Sequence, residues 1–186
     1  MSQIISKAYF DFLCNSNLKL GFFGGSFNPF HDGHASLASN IIKELDLDRL
    51  IILVAHYSSY KIYNTSAKIR GEYIKDKFYH PKVCISSIEE EMGYNYSALI
   101  TKYIVNRSYE PCYMILGSDS LISFHHWEFY RYIISLMKIS IVARETYTYQ
   151  SFESKLVNEV FDFFRFKYVN ISSTEIRKNI SNLELK

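Results

Sequence analysis

Two histidines spaced three apart, His31 and His34, flank Asp32 and Gly33 a few residues after an adjacent glycine pair, Gly24 and Gly25. Near the other end of the chain, Ser172, Ser173 and Thr174 are followed by Glu175 and Arg177. Imidazoles donate hydrogen bonds near neutral pH. A guanidinium takes two phosphate oxygens at once. Glycine lets a backbone turn sharply or approach a ligand closely. No Ser–His or Cys–His nucleophilic device is evident. These are the groups of a protein that binds phosphates and stabilises charge developing on them.

The elements that must position these groups can be read from periodicity. Residues 18–23 form a short apolar run, broken only by Lys19 and Gly21, as in a buried strand. Ser26, Phe27, Asn28 and Pro29 make a turn-rich loop. Ala38, Ile41, Ile42 and Leu45 then fall on one face of an amphipathic helix. Counting back four from Ala38 puts His34 on that inward face, in the first turn. Asp32 is the expected N-cap, with His31 just outside. Two imidazoles and backbone N–H groups thus meet at the positive end of a helix, where anions bind. A glycine pair alone occurs in any βαβ unit, and a lone histidine is most often structural; the conjunction carries the reading. At the far end, Ser172 and Glu175 have capping-box spacing, so a helix begins there with Ser173 and Thr174 at its mouth and Arg177 one turn along. Taken alone, that is an ordinary capped helix with a solvated arginine.

Strand-like runs at 50–55, 83–88, 112–116 and 139–143 alternate with helical stretches at 66–78, near 97–105, in parts of 119–136 and at 152–164. Ser66 is the expected cap of the first of these helices, the acidic run 89–91 is read as lying before a loop, 168–171 as extended and 173–180 as a last short helix. Residues 1–17 are a short extra helix or a ragged end. This alternation predicts an α/β fold with a Rossmann-like doubly wound parallel sheet, whose ligands bind beyond the carboxyl ends of the strands.

Composition narrows the partners. At 186 residues, with 48% hydrophobic and 22% charged residues, a single domain (1–186, core about 18–180) is expected. A net charge of +2, with both signs interspersed, implies no nucleic-acid partner. The 16 tyrosines and 14 phenylalanines are spread along the chain rather than interleaved with a basic patch. Cys14, Cys84 and Cys112 are odd in number and lack CxxC spacing, which fits a reducing cytoplasm. No signal-like or membrane-length apolar run is present, so a cytoplasmic protein without a membrane partner is expected. His125 and His126 point to different sides of a helix and receive no role.

The string GSFNPFHDGH resembles the signature of the nucleotidylyltransferase superfamily, His (or Thr)-x-Gly-His, at His31, Gly33 and His34 and in the preceding Gly-Gly-Ser-Phe-Asn-Pro. Residues 171–177, ISSTEIR, resemble its ISSTxIR element position by position. Residues 115–130, ILGSDSLISFHHWEFY, resemble the Gly-x-Asp-Ser…Trp segment of its nicotinate-nucleotide adenylyltransferase branch, and Tyr96-Ser97 resembles the Tyr-Thr of that branch's nicotinate pocket.

The resemblance implies transfer of AMP from ATP to nicotinic acid mononucleotide, giving nicotinic acid adenine dinucleotide and pyrophosphate in NAD biosynthesis, with Mg2+ arriving on ATP. It implies catalytic roles for His34 at the α-phosphate and His31 beside it. It places Gly24, Gly25, Ser26, Phe27, Lys61, Gly117, Ser173, Thr174 and Arg177 on ATP, and Tyr96, Ser97, Asp119 and Trp127 on the nicotinate nucleotide. In the loop HYSSYKIYNTSAKIR, residues 56–70, the family's prolines are missing, and Lys61 and Arg70 stand where its His-Lys region lies. Without the flanking motifs, Asp119 reads equally as a helix cap and Trp127 as core. Three rivals stay open: adenylylation of nicotinamide mononucleotide or phosphopantetheine, a non-catalytic nucleotide-binding regulator, and an electron-transfer or dehydrogenase Rossmann protein, against which the missing GxGxxG counts. A homo-oligomer is also left open.

Overall fold

The computed structural model describes residues 2–56, 65–104, 111–118, 120, 124–142, 161–166, 173, 174, 176 and 177. In chain order these form β1 (Gln3–Ile4), α1 (Lys7–Cys14), β2 (Leu20–Gly25), α2 (Asp32–Glu44), β3 (Arg49–Val54), α3 (Ala67–Lys77), β4 (Val83–Ser86), α4 (Ile88–Met92), α5 (Tyr96–Ile104), β5 (Tyr113–Gly117), α6 (Tyr130–Leu136), β6 (Lys138–Val142) and β7 (Phe161–Phe164). The strands lie in the order β1-β4-β3-β2-β5-β6-β7, and every adjacent pair is parallel. This is the expected Rossmann-like doubly wound sheet. The chain moves outward from β2 through β3 to β4, then returns to β5 on the other side. The switch point between β2 and β5 opens the crevice in which such sheets bind ligands.

The central strands are apolar throughout because both faces are covered. Phe22, Ile51, Met114 and Ile139 pack on one face with Phe10, Leu99, Ile100 and Ile133 from α1, α5 and α6. Their neighbours Phe23, Ile52 and Ile115 turn to the other face and meet Ala38, Ile41, Ile42 and Ile74 from α2 and α3. The strand period of two thus divides adjacent residues between two cores. Ser66 caps α3 as expected, its hydroxyl accepting from the Ile69 N–H at 3.2 Å.

At the amino terminus the short extra helix forms as α1, burying Phe10 and Leu13, and β1 before it pairs with β4, Ile4 opposite Ile85. One expectation changes. The end of the helix expected at 152–164 is strand, since Phe161–Phe164 pairs with β6. Its alternating aromatics place Phe163 and Phe164 on opposite faces of the sheet, and ladder partners decide such a short segment. The acidic run 89–91 lies within α4, and the expected loop, at 93–95, and helix, α5, follow it. Among the described residues no helix is long and apolar enough to cross a membrane. The expectations at 168–171 and for the capping pair Ser172 and Glu175 lie outside the described residues.

Candidate active site

Beyond Gly25 the chain leaves β2 through Ser26 and Phe27, passes a cis Asn28–Pro29 peptide and enters α2 at Asp32. The N-cap is His31, in extended conformation, and not Asp32, which becomes the first helical residue. His34 accounts for the difference: its Nδ1 accepts the His31 backbone N–H at 3.3 Å, as a glutamate does at the third position of a capping box. The Asp32 carboxylate lies instead in the first turn, where the helix dipole favours it.

The cap also sets the chemistry of the ring. With Nδ1 accepting, Nε2 carries the proton of a neutral His34 and serves as its donor. The two imidazoles stack with centroids 3.8 Å apart. Behind His34 stand Phe27 edge-on at 5.1 Å, Phe30 stacked at 5.3 Å and Phe23 at 6.2 Å. His31 itself is buried. The pair is therefore held rigidly at the amino end of α2.

The C-terminal motif docks on the same loop. Ser173 Oγ donates to the Pro29 carbonyl at 2.9 Å across 144 residues of sequence. Arg177 donates through Nη1 to the Asn28 carbonyl and through Nη2 to Thr174 Oγ1, the latter at 3.1 Å. Arg177 and Thr174 are exposed, and Ser173 is half-buried. Hydroxyls and a guanidinium are thus added to the loop that carries the histidines, a constellation suited to a polyphosphate.

The cytidylyltransferase-like family model matches residues 22–179. A protein of Fusobacterium nucleatum named probable nicotinate-nucleotide adenylyltransferase is 31% identical over 176 residues, covering 90% of both chains. One of Pelagibacter ubique with the same name is 32% identical over 177 residues, covering 86% of this chain and 92% of its own. The chain belongs to the cytidylyltransferase-like family, in its nicotinate-nucleotide adenylyltransferase branch. Among solved structures, the nicotinic acid mononucleotide adenylyltransferase of Plasmodium falciparum complexed with NaAD matches with a TM-score of 0.70, covering 87% of this chain and 83% of its own. At 18% identity that likeness speaks for the fold.

For this branch member the remaining expected site residues divide. Tyr96 begins α5 and lies behind β2, where its hydroxyl donates to the Phe22 carbonyl at 3.3 Å. Burial, and next the charge of Glu89, push the Tyr96 phenol well above its ordinary range, so it stays neutral. Its ring lies 3.0 Å from where a Cβ on Gly24 would sit, and the Phe27 ring 2.9 Å from the corresponding position on Gly25. The glycine pair thus lets two aromatic rings close on the end of β2. Trp127 is half-buried and meets Tyr96 at 5.9 Å and Phe124 at 5.4 Å, both edge-to-face. Gly117 ends β5, opposite Val142. Lys61, Asp119 and the side chain of Ser97 lie outside what the structure describes.

Two charged residues, Arg70 and Glu89, are drawn inward. Arg70, 4% exposed, donates to the carbonyls of Ser26, Ala55 and Thr65, so it supports the loop from beneath instead of facing a phosphate. Glu89, 1% exposed, accepts the His56 N–H at 3.1 Å through Oε2. Its neighbour Glu90 caps α3 by accepting from the Ala67 and Lys68 N–H groups. Three successive residues spread over about 200° of a helix, so a helix packed on a sheet turns one end of such a run inward, and that was the available signal.

Burial pushes the Glu89 carboxyl up to about 8, against the His56 hydrogen bond and the Arg70 charge, which pull it down. The folded state therefore keeps a proton that the unfolded chain releases near pH 4.5. The contribution of this group to stability is highest below that pH, falls as pH rises to about 8, and is constant above. Glu89→Gln should remove up to ~1.4 kcal/mol per pH unit of this slope and be the more stable form at pH 8. Urea midpoints from pH 5 to 9 measure it; parallel curves for the two proteins would place an ionised carboxylate there.

Proposed function

We infer that this protein transfers the adenylyl group of ATP to nicotinic acid mononucleotide, releasing pyrophosphate. The observation that carries the reading is the docking of Ser173 and Arg177 onto Asn28 and Pro29, which brings both phosphate-binding motifs to one loop. A phosphate oxygen of the mononucleotide attacks the α-phosphorus of ATP, an α-phosphate P–O–P bond breaks on the far side, and pyrophosphate leaves. The substrate supplies the nucleophile, so the protein's task is to align two anions and stabilise spreading charge.

In this reading His34 donates through Nε2 to the α-phosphate, and His31 and the α2 amides hold the oxygens around it. Ser173, Thr174 and Arg177 receive the β- and γ-phosphates, and Trp127 stacks on the pyridine ring. Lys61, Asp119 and Ser97 are assigned by family resemblance alone. Among the described residues no three His, Cys, Asp or Glu side chains are grouped to hold a metal. The donors of the loop are N–H and hydroxyl groups, which fit phosphate oxygens. A divalent cation, magnesium in this proposal, would be held mainly by the triphosphate and would supply charge neutralisation there.

The test is pyrophosphate release from ATP with nicotinic acid mononucleotide, nicotinamide mononucleotide or phosphopantetheine as acceptor. Preference for the first supports the assignment, and turnover with phosphopantetheine alone sinks it. Arg177→Lys should raise the KM for ATP by about tenfold, one charge-assisted hydrogen bond, with the acceptor KM nearly unchanged. An unchanged ATP dependence would make Arg177 a solvated helix residue that only ties two loops together.

A further inference from the structure

Arg70 is buried beneath the loop that carries the histidines, and three of its hydrogen bonds gather three separate segments at the carboxyl edge of the sheet. Nη2 takes the Ala55 carbonyl after β3 at 2.6 Å, Nε takes the Thr65 carbonyl before α3 at 3.3 Å, and Nη1 takes the Ser26 carbonyl. A planar guanidinium can serve three carbonyls in different directions; an ammonium on a flexible stem cannot hold them in one geometry. At 4% exposure the group belongs to the interior beneath the loop.

The Ser26 carbonyl belongs to the peptide plane that sets φ of Phe27. That residue stands at φ 45, in the left-handed region that bulky side chains rarely adopt. The Phe27 ring is 2% exposed, wedged over Gly25, and meets His34 edge-on at 5.1 Å. Fixing the peptide therefore fixes the ring, and the ring forms the wall behind the imidazole.

We propose that Arg70 is a positioning residue for adenylyl transfer, acting through the Ser26–Phe27 peptide and the Phe27 ring to hold the His34 imidazole in line with the reacting phosphate. The proposal rests on the functional reading above. It separates Arg70 from Arg177, because the effect of Arg70 must appear in kcat and must pass through one histidine.

The test is a double-mutant cycle on pyrophosphate release. Arg70→Lys should lower kcat by roughly 10- to 100-fold, the cost of a misplaced catalytic group, with the KM for ATP changed far less. In the His34→Ala background the same change should cost less than about threefold, since the link it disturbs is gone. Equal losses in both backgrounds would overturn the proposal. If Arg70→Lys does not fold, Phe27→Leu carries the same cycle, and additivity there overturns it equally. A second readout needs no turnover: the ring ¹⁵N signals of His34 should report a protonated Nε2 in the parent and a mixture of tautomers in Arg70→Lys. Unchanged His34 signals in the variant overturn the proposal. Absence of any adenylyl transfer by the parent protein would instead defeat the functional reading, and the ring signals would still decide the role of Arg70.

Discussion

His34→Ala is expected to lower kcat by roughly 10²–10³-fold, the usual cost of removing one preorganised donor to a developing charge. The donor is preorganised because Nδ1 is engaged by the His31 N–H and the ring is walled by Phe27 and Phe30. The same contacts define the structural cost. Losing the cap and the ring contacts of His34 should remove about 1–2 kcal/mol of stability, a Tm shift of a few degrees in a chain of this length. Calorimetry and turnover separate the two effects. A folded variant nearly as active as the parent would make His34 a capping residue and nothing more. Loss of folding would point to the aromatic wall as its main role.

Trp127→Ala should weaken nicotinic acid mononucleotide by roughly 5- to 150-fold, the affinity equivalent of stacking one aromatic side chain on a base. ATP dependence should change little. The indole is half-buried, with Tyr96 and Phe124 edge-on against it, so packing and stacking are both open to it. Because it is the chain's only tryptophan, its fluorescence reports one site. The mononucleotide should quench it strongly and ATP alone far less. A core role would show the reverse: a stability loss of up to ~3–5 kcal/mol and fluorescence blind to either ligand. Tyr96, already bonded to the Phe22 carbonyl, would then act on the pocket only through its ring.

Local pattern determined a good deal of this protein. The alternation of short apolar runs with helical faces is enough for a doubly wound sheet, because a strand buried on both faces and an amphipathic helix differ in period. Ser66 capped its helix as its sequence position requires. The motifs around His34 and Arg177 named a phosphate chemistry by residue type alone. Tertiary structure decided what depends on partners far away in the chain. The strands at Gln3–Ile4 and Phe161–Phe164 are too short to carry a period, and the ladders of β4 and β6 make them strands. His31 replaced Asp32 as the cap because the His34 ring turned back to accept its N–H, a choice between two good caps that spacing cannot make. Glu89 and Glu91 are the same residue type on one short helix, and only the sheet edge beside them buries the first and leaves the second in water. The meeting of Ser173 with Pro29 belongs to this second class too: two local signals named the chemistry, but the sheet had to place them on one loop.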